Sequence, residues 1–131
     1  MKKNILFVCV ENSNRSQMAE AFAIIHGKDV VNAYSAGSKP SGVINPKAIA
    51  SMNEISYDLS THKSKALTEI PDVVYKYAIT MGCGDECPLV NANHRDEWDI
   101  PDPREMNEDE FRQVRDQIEK KVISLLDKLR N

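Results

Sequence analysis

Ile5-Leu6-Phe7-Val8, running directly into Cys9-Val10-Glu11-Asn12-Ser13-Asn14-Arg15-Ser16 and on to Gln17-Met18-Ala19-Glu20, is the stretch that decides the fold. Consecutive apolar residues without alternation suit a strand covered on both faces, the kind found inside parallel sheets. From Ser16 to His26 the apolar positions Met18, Ala19, Phe22, Ala23 and Ile25 recur at helical spacing, with Gly27 placed as a stop. A strand therefore gives way to a helix through one short loop.

The same alternation continues downstream. Val30 to Ala36 reads as a second strand ending at Gly37, and Asn45-Pro46 supplies an N-cap and a first-turn proline for a helix through about Asn53. Val73 to Met81 offers a third strand interrupted by Lys76, and Glu97-Trp98-Asp99 a short fourth. Phe111, Val114, Ile118, Val122, Leu125 and Leu129 step by three or four along one face of a closing helix. Its other face, with Arg112, Arg115, Asp116, Glu119, Lys120 and Lys128, is a solvated charge pattern. The expectation is an α/β fold, a three-layer α/β/α sandwich with a four-stranded parallel sheet and its active edge at the strand C-termini.

A chain of 131 residues needs only one domain, spanning 1–131, and can bury roughly two-thirds of its unfolded surface around one core. The formal charge of −3 provides no basic field for nucleic acid or an anionic membrane, so an anion must be held by a local site. Met1-Lys2-Lys3-Asn4 leads straight into the first strand, with neither an apolar span nor a cleavage signal, which points to a cytoplasmic protein. Three cysteines are too few for a disulfide scaffold, so their value is expected to be chemical.

The loop between the first strand and helix carries that chemistry. The peptide N–H groups of Val10, Glu11, Asn12, Ser13, Asn14 and Arg15 can converge on one tetrahedral oxyanion at a helix N-terminus. Arg15 adds a planar fork for two of its oxygens. Cys9 at the start of the loop sees the same donors, which favour its thiolate and make it a nucleophile. Ser16 can donate to that sulfur, and Asn12 can brace the loop against backbone. Glu11 would repel an anion unless it points outward. The bland alternative makes Cys9 a buried strand residue and Arg15 a surface cap.

Cys9 to Glu20 resembles the signature loop of the low-molecular-weight tyrosine phosphatase superfamily, and specifically of its arsenate reductase branch. Gln17-Met18-Ala19-Glu20 matches the reductases where the phosphatases have proline after the Arg-Ser pair. Ser35-Ala36-Gly37 and Asp102-Pro103 also fall where the family has them, so the resemblance covers nearly the whole chain.

What the resemblance implies is specific. Asp102, stiffened by Pro101 and Pro103, is the general acid or base, with Asp99 as its competitor. Cys83 and Cys87, separated by Gly84-Asp85-Glu86, are a redox pair that a phosphatase does not need. Cysteines at that spacing can reach the Cα separation of about 5.5–6 Å that a disulfide prefers. By resemblance, Cys9 attacks arsenate, Cys83 attacks Cys9, and Cys87 attacks Cys83. Thioredoxin is the implied reductant, although the two redox cysteines stand closer together than in many members. Phosphate and sulfate are the implied competing oxyanions, no cofactor is required, and the protein is expected to be a monomer.

Some reductases hold a potassium ion with residues matching Asn12, Glu20 and Ser35 and an aspartate after a His-x-Ser motif. Here His62-Lys63-Ser64 is followed by Lys65, whose ammonium can replace the ion, so no metal is expected. Two rivals stand beside this reading. One is a tyrosine phosphatase using Cys9, Arg15 and Asp102. The other is a metal or arsenite binding module built from Cys83, Cys87 and His94, with or without Cys9.

Overall fold

The N-terminal apolar run forms β1 (Lys3–Cys9), an inner strand of a four-stranded sheet. A computed structural model of the chain describes residues 2–82 and 90–130. The other strands are β2 (Val31–Gly37), β3 (Tyr75–Thr80) and β4 (Ala92–Glu97), and the helices are α1 (Arg15–Gly27), α2 (Pro46–Asn53) and α3 (Glu108–Arg130). Short 3₁₀ turns cover Leu59–Thr61 and Leu67–Glu69.

The strand order is β2-β1-β3-β4 and every pairing is parallel, as the uninterrupted apolar run at Ile5–Val8 leads one to expect. β1 pairs with β2 from Lys3 opposite Val31 to Cys9 opposite Gly37, and with β3 from Ile5 opposite Tyr77 to Val8 opposite Thr80. The chain leaves β1 toward one neighbour and later returns to the other. Their C-terminal ends therefore open a crevice where the connections part company, the place where such sheets bind ligands. Cys9 stands at that point.

Successive side chains of β1 enter two separate clusters, as the two-residue period of a strand requires. Ile5 and Phe7 face the larger cluster with Met18, Phe22, Ile79, Ile118 and Leu126, all essentially inaccessible to solvent. Leu6 and Val8 face the smaller one with Ala36 and Tyr75, lined by the partly buried Tyr34, Leu67 and Ile70. The helical side is thus thick, whereas among the described residues the opposite side is a thin layer built on the 3₁₀ turn at Leu67–Glu69. Each large aliphatic or aromatic side chain so buried contributes about 1.5–3 kcal/mol.

One local expectation is corrected, and a second is met for a different reason. The fourth strand is Ala92–Glu97 and stops where Glu97-Trp98-Asp99 was expected to begin it. β4 is an edge strand, exposed nearly throughout, so its sequence Ala-Asn-His-Arg-Asp-Glu carries no apolar alternation to reveal it. Trp98, just past its end, is buried with its ring 5.8 Å from that of Phe7. α1 ends at Gly27, as the sequence reading expects, but not through a left-handed turn: Gly27 has no positive φ and the following Lys28 is right-handed. Its reason is contact: a Cβ there would stand 2.5 Å from Leu126 Cδ2 on α3.

Among the described residues, no helix is long and apolar enough to cross a membrane.

Candidate active site

The loop after β1 is held open by the bonds its carbonyls make outward. Cys9 O accepts from Ser38 N at 3.2 Å, Val10 O from Lys39 N at 2.8 Å, Glu11 O from Ser41 N at 3.1 Å and Ser13 O from Asn45 N at 3.2 Å. Asn12 O accepts from Gln17 Nε2 at 3.1 Å. A trans peptide points its N–H away from its C=O, so carbonyls tied to the outside leave the amides facing the loop interior. Among the described residues, no backbone N–H from Val10 to Asn14 donates to another group. The side chain of Asn14, at the N-cap of α1, makes no capping hydrogen bond, so the first turn keeps its donors and its positive dipole end for an anion.

Two features let the loop close this tightly. Asn12 adopts φ 52°, a left-handed conformation that asparagine tolerates better than most residues. Gly37, opposite Cys9 on β2, abuts the loop so closely that a Cβ would lie 2.6 Å from Val10 O.

Cys9 is buried at the base of this ring, and its Sγ lies 2.8 Å from Ser16 Oγ. Asn12 Nδ2 donates to the same oxygen at 2.8 Å, which leaves the Ser16 hydroxyl hydrogen available to the sulfur. Arg15 is buried as well. Its Nη1 donates to Ile100 O at 3.0 Å, and its Nη2 lies 3.9 Å from Asp102 Oδ2. Gly82, with φ +78°, lies directly against the guanidinium, where any Cβ would overlap Arg15 Nη1.

A cavity of about 300 Å³ brings these groups together, lined by Cys9, Val10, Glu11, Ser13, Asn14, Arg15, Gly82, Asp102 and Arg104. Asp102 reaches it from the loop following β4 and is half exposed, its Oδ1 accepting from Arg104 N at 3.0 Å. Asp99 lines a different depression with Trp98 and Ile100. Glu11 turns outward to Arg104, whose Nη1 lies 3.4 Å from Glu11 Oε2 at the mouth. The proposed redox residues Cys83 and Cys87 lie outside the described residues. Gly82, which precedes Cys83, borders the cavity.

Behind the loop, Lys65 Nζ lies 3.6 Å from Glu20 Oε1 and 3.5 Å from Ser35 Oγ, and it donates to Lys63 O at 3.1 Å. Ser35 Oγ also donates to Glu20 Oε1. An ammonium already occupies the point where these oxygens converge, so this donor set does not fit a further monovalent cation. His94, of the alternative metal module, sits on β4 stacked on Tyr77 with ring centroids 4.9 Å apart. Among the described residues, no group of three His, Cys, Asp or Glu side chains is placed to hold a metal ion.

Several contributors carry little signal of their own in the sequence. The Ile100 carbonyl and the Arg104 side chain enter only through the path of the loop around Asp102. Gly82 shows only as a glycine at the end of a β-rich run. Gln17 and His62, whose side chains meet at 2.9 Å between Oε1 and Nδ1, are far apart in the chain.

Residues 4–131 match the family model described as low molecular weight phosphotyrosine protein phosphatase. The chain is 39% identical over 130 residues to arsenate reductase 1 of Staphylococcus haemolyticus, covering 92% of each chain. It superposes with a TM-score of 0.88 on a solved structure described as an arsenate reductase in the phosphate binding state, at 35% identity and over 97% of this chain and 98% of that one. A thioredoxin-dependent arsenate reductase of Corynebacterium glutamicum aligns at 29% identity with a TM-score of 0.77, over 98% of this chain and 62% of that one.

Proposed function

The chain belongs to the low molecular weight phosphotyrosine protein phosphatase family, and on that premise we propose that it is an arsenate reductase acting through Cys9 and a relay over Cys83 and Cys87. The observation that carries the reading is the ring of outward-tied carbonyls around a buried Cys9. It leaves amides and the Arg15 fork facing a cavity large enough for one tetrahedral oxyanion. Identity of about two in five to a curated arsenate reductase supports this branch of the family over its phosphatases.

In the proposed sequence the Cys9 thiolate attacks arsenic and displaces one hydroxyl group of the arsenate, which Asp102 protonates so that it leaves as water. The amides of Val10 to Arg15 and the Arg15 guanidinium carry the charge of the remaining oxygens. Cys83 then attacks Cys9 Sγ. The electron pair of the sulfur–arsenic bond stays on arsenic, reducing it from the +5 to the +3 state, and arsenite leaves behind a Cys9–Cys83 disulfide. Cys87 attacks Cys83, releasing the Cys9 thiolate and forming a Cys83–Cys87 disulfide. A dithiol protein of the thioredoxin class returns that bond to two thiols. The protein works as a single-domain monomer in the cytoplasm, with phosphate and sulfate as competing oxyanions.

A phosphatase would use Cys9, Arg15 and Asp102 in the same way. None of the described residues lining the cavity is aromatic, which leaves a phenol ring without a stacking surface. The test is to incubate the reduced protein with arsenate, block the free thiols and map disulfides by mass spectrometry. A Cys83–Cys87 bond is expected in the wild type and a trapped Cys9–Cys83 bond in Cys87→Ser. Three free thiols after arsenite has been formed would overturn the relay.

A further inference from the structure

The hydrogen bonds behind the loop have only one direction open to them. Lys65 N donates to Asn12 Oδ1 at 2.9 Å, and a backbone amide can only donate. This fixes Asn12 with its oxygen toward Lys65 and its Nδ2 toward Ser16 Oγ. Gln17 Nε2 lies 2.8 Å from Lys63 O and 3.1 Å from Asn12 O, two backbone carbonyls that can only accept, and 2.7 Å from Asn12 Oδ1. The Gln17 oxygen is thereby turned to His62 Nδ1 at 2.9 Å. An amide oxygen has no hydrogen to give, so His62 carries its proton on Nδ1. In the neutral ring Nε2 then accepts from Tyr57 OH, 2.6 Å away.

We propose that Tyr57, His62 and Gln17 are positioning residues for the Cys9 nucleophile, through a one-way chain of hydrogen bonds. Tyr57 donates to His62, His62 to Gln17, Gln17 to Asn12, Asn12 to Ser16, and Ser16 to the Cys9 sulfur. Each donor in such a chain is made a better donor by the one behind it, so the last hydrogen favours the thiolate. Reversal would require a backbone N–H to accept or a backbone carbonyl to donate, which neither can do. The inference rests on Cys9 being the nucleophile.

The surroundings suit the assignment. The His62 side chain is buried and faces Glu20, whose Oε2 is 3.8 Å from Nδ1, together with Lys65 and the edge-on ring of Tyr57. Burial pushes the imidazole toward its neutral form, Lys65 acts with it, and Glu20 acts against both. Burial, followed by the charges of Glu20 and Asp58, holds the Tyr57 hydroxyl protonated above its ordinary range. Glu20 itself is engaged by Lys65 and Ser35.

The test follows alkylation of Cys9 by iodoacetamide across the neutral pH range, read on the Cys9 peptide by mass spectrometry, in the full-length reduced protein. Thermal unfolding is recorded alongside. His62→Leu is expected to slow alkylation near neutrality by up to roughly fourfold, the order that follows from losing a strengthening of about 10–30% in a charge-assisted hydrogen bond. Tyr57→Phe should slow it less. His62→Gln, whose amide can still donate to Gln17, should restore most of the rate. Equal rates in all variants, or a loss in His62→Gln matching that in His62→Leu, would overturn the chain. Nitrogen-15 spectra of wild-type His62 give a reading that needs no variant: a proton on Nδ1 is expected, and one on Nε2 alone would overturn the assignment. A wild-type Cys9 no more reactive than a free cysteine would instead remove the nucleophile assignment on which this rests.

Discussion

The ammonium of Lys65 stands 3.6 Å from the carboxylate of Glu20, with the Ser35 hydroxyl and the Lys63 carbonyl completing its surroundings. A positive charge is thus covalently tethered behind the oxyanion loop, on the segment whose backbone N–H braces Asn12. Turnover is therefore expected to be the same in potassium and sodium buffers of equal ionic strength. Lys65→Met, which removes the charge and keeps the stem, should lower arsenate kcat/KM several-fold, and potassium should then recover part of it. A several-fold potassium stimulation of the wild type would contradict this account.

Gly82 and Arg15 make a second dependence testable. At φ +78° an alanine is strained by about 1 kcal/mol or more, and its Cβ would occupy the position of the guanidinium. Gly82→Ala should displace Arg15 and so weaken phosphate binding and arsenate kcat/KM by about tenfold or more, the scale of losing a charge-assisted fork. Thermal stability should fall only modestly. Unchanged phosphate affinity, measured by calorimetry, would show that Arg15 does not need that space.

How much of this was legible beforehand differs from element to element. Ile5–Val8 and the 3.6-residue spacing after Ser16 announce β1 and α1 because burial on two faces or on one stripe leaves a direct mark on composition. β4 is invisible for the opposite reason, since its exposed edge position places no apolar demand on Ala92–Glu97. Gly27 shows that one glycine can both end a helix and admit a neighbour, and only the position of Leu126 reveals the second role. Cys9, Arg15 and Ser16 are readable because strand, loop and helix place them within a few residues of one another. The Tyr57, His62 and Gln17 arrangement is not, because the pairing of Gln17 with His62 joins two distant segments through side-chain amide directions that backbone partners fix.

The close passage of α1 and α3 is a packing prediction. Gly27→Ala gains about 1 kcal/mol of helix propensity but drives a methyl group into the fully buried Leu126, an overpacking cost of about 1–3 kcal/mol. The variant should be neutral to moderately destabilised in denaturant unfolding. Leu126→Ala alone should cost about 2–5 kcal/mol. The double variant should cost clearly less than the sum of the two, because the added methyl fills part of the vacated volume. Strict additivity would place the two residues out of contact.

The last prediction concerns acid stability at the other end of the fold, where Glu54 just past α2 binds two arginines of α3. Arg112 Nη2 lies 2.6 Å and Arg115 Nη1 2.9 Å from its carboxylate oxygens. The Arg112 hydrogen bond leads in pulling the Glu54 carboxyl down from 4.5 to about 2; Arg115 acts in the same direction, and desolvation partly opposes them. Because the folded-state value lies below the unfolded one, the unfolded chain binds the proton more readily. The contribution is therefore complete above pH 4.5 and disappears as the pH falls toward about 2. Glu54→Gln should be less stable than the wild type at neutral pH, and the gap between them should close through that window. High salt should narrow the gap at neutral pH, since the pairs are partly exposed. A gap that stays constant between pH 5 and 2 would mean that Glu54 joins α2 to α3 by packing rather than by charge.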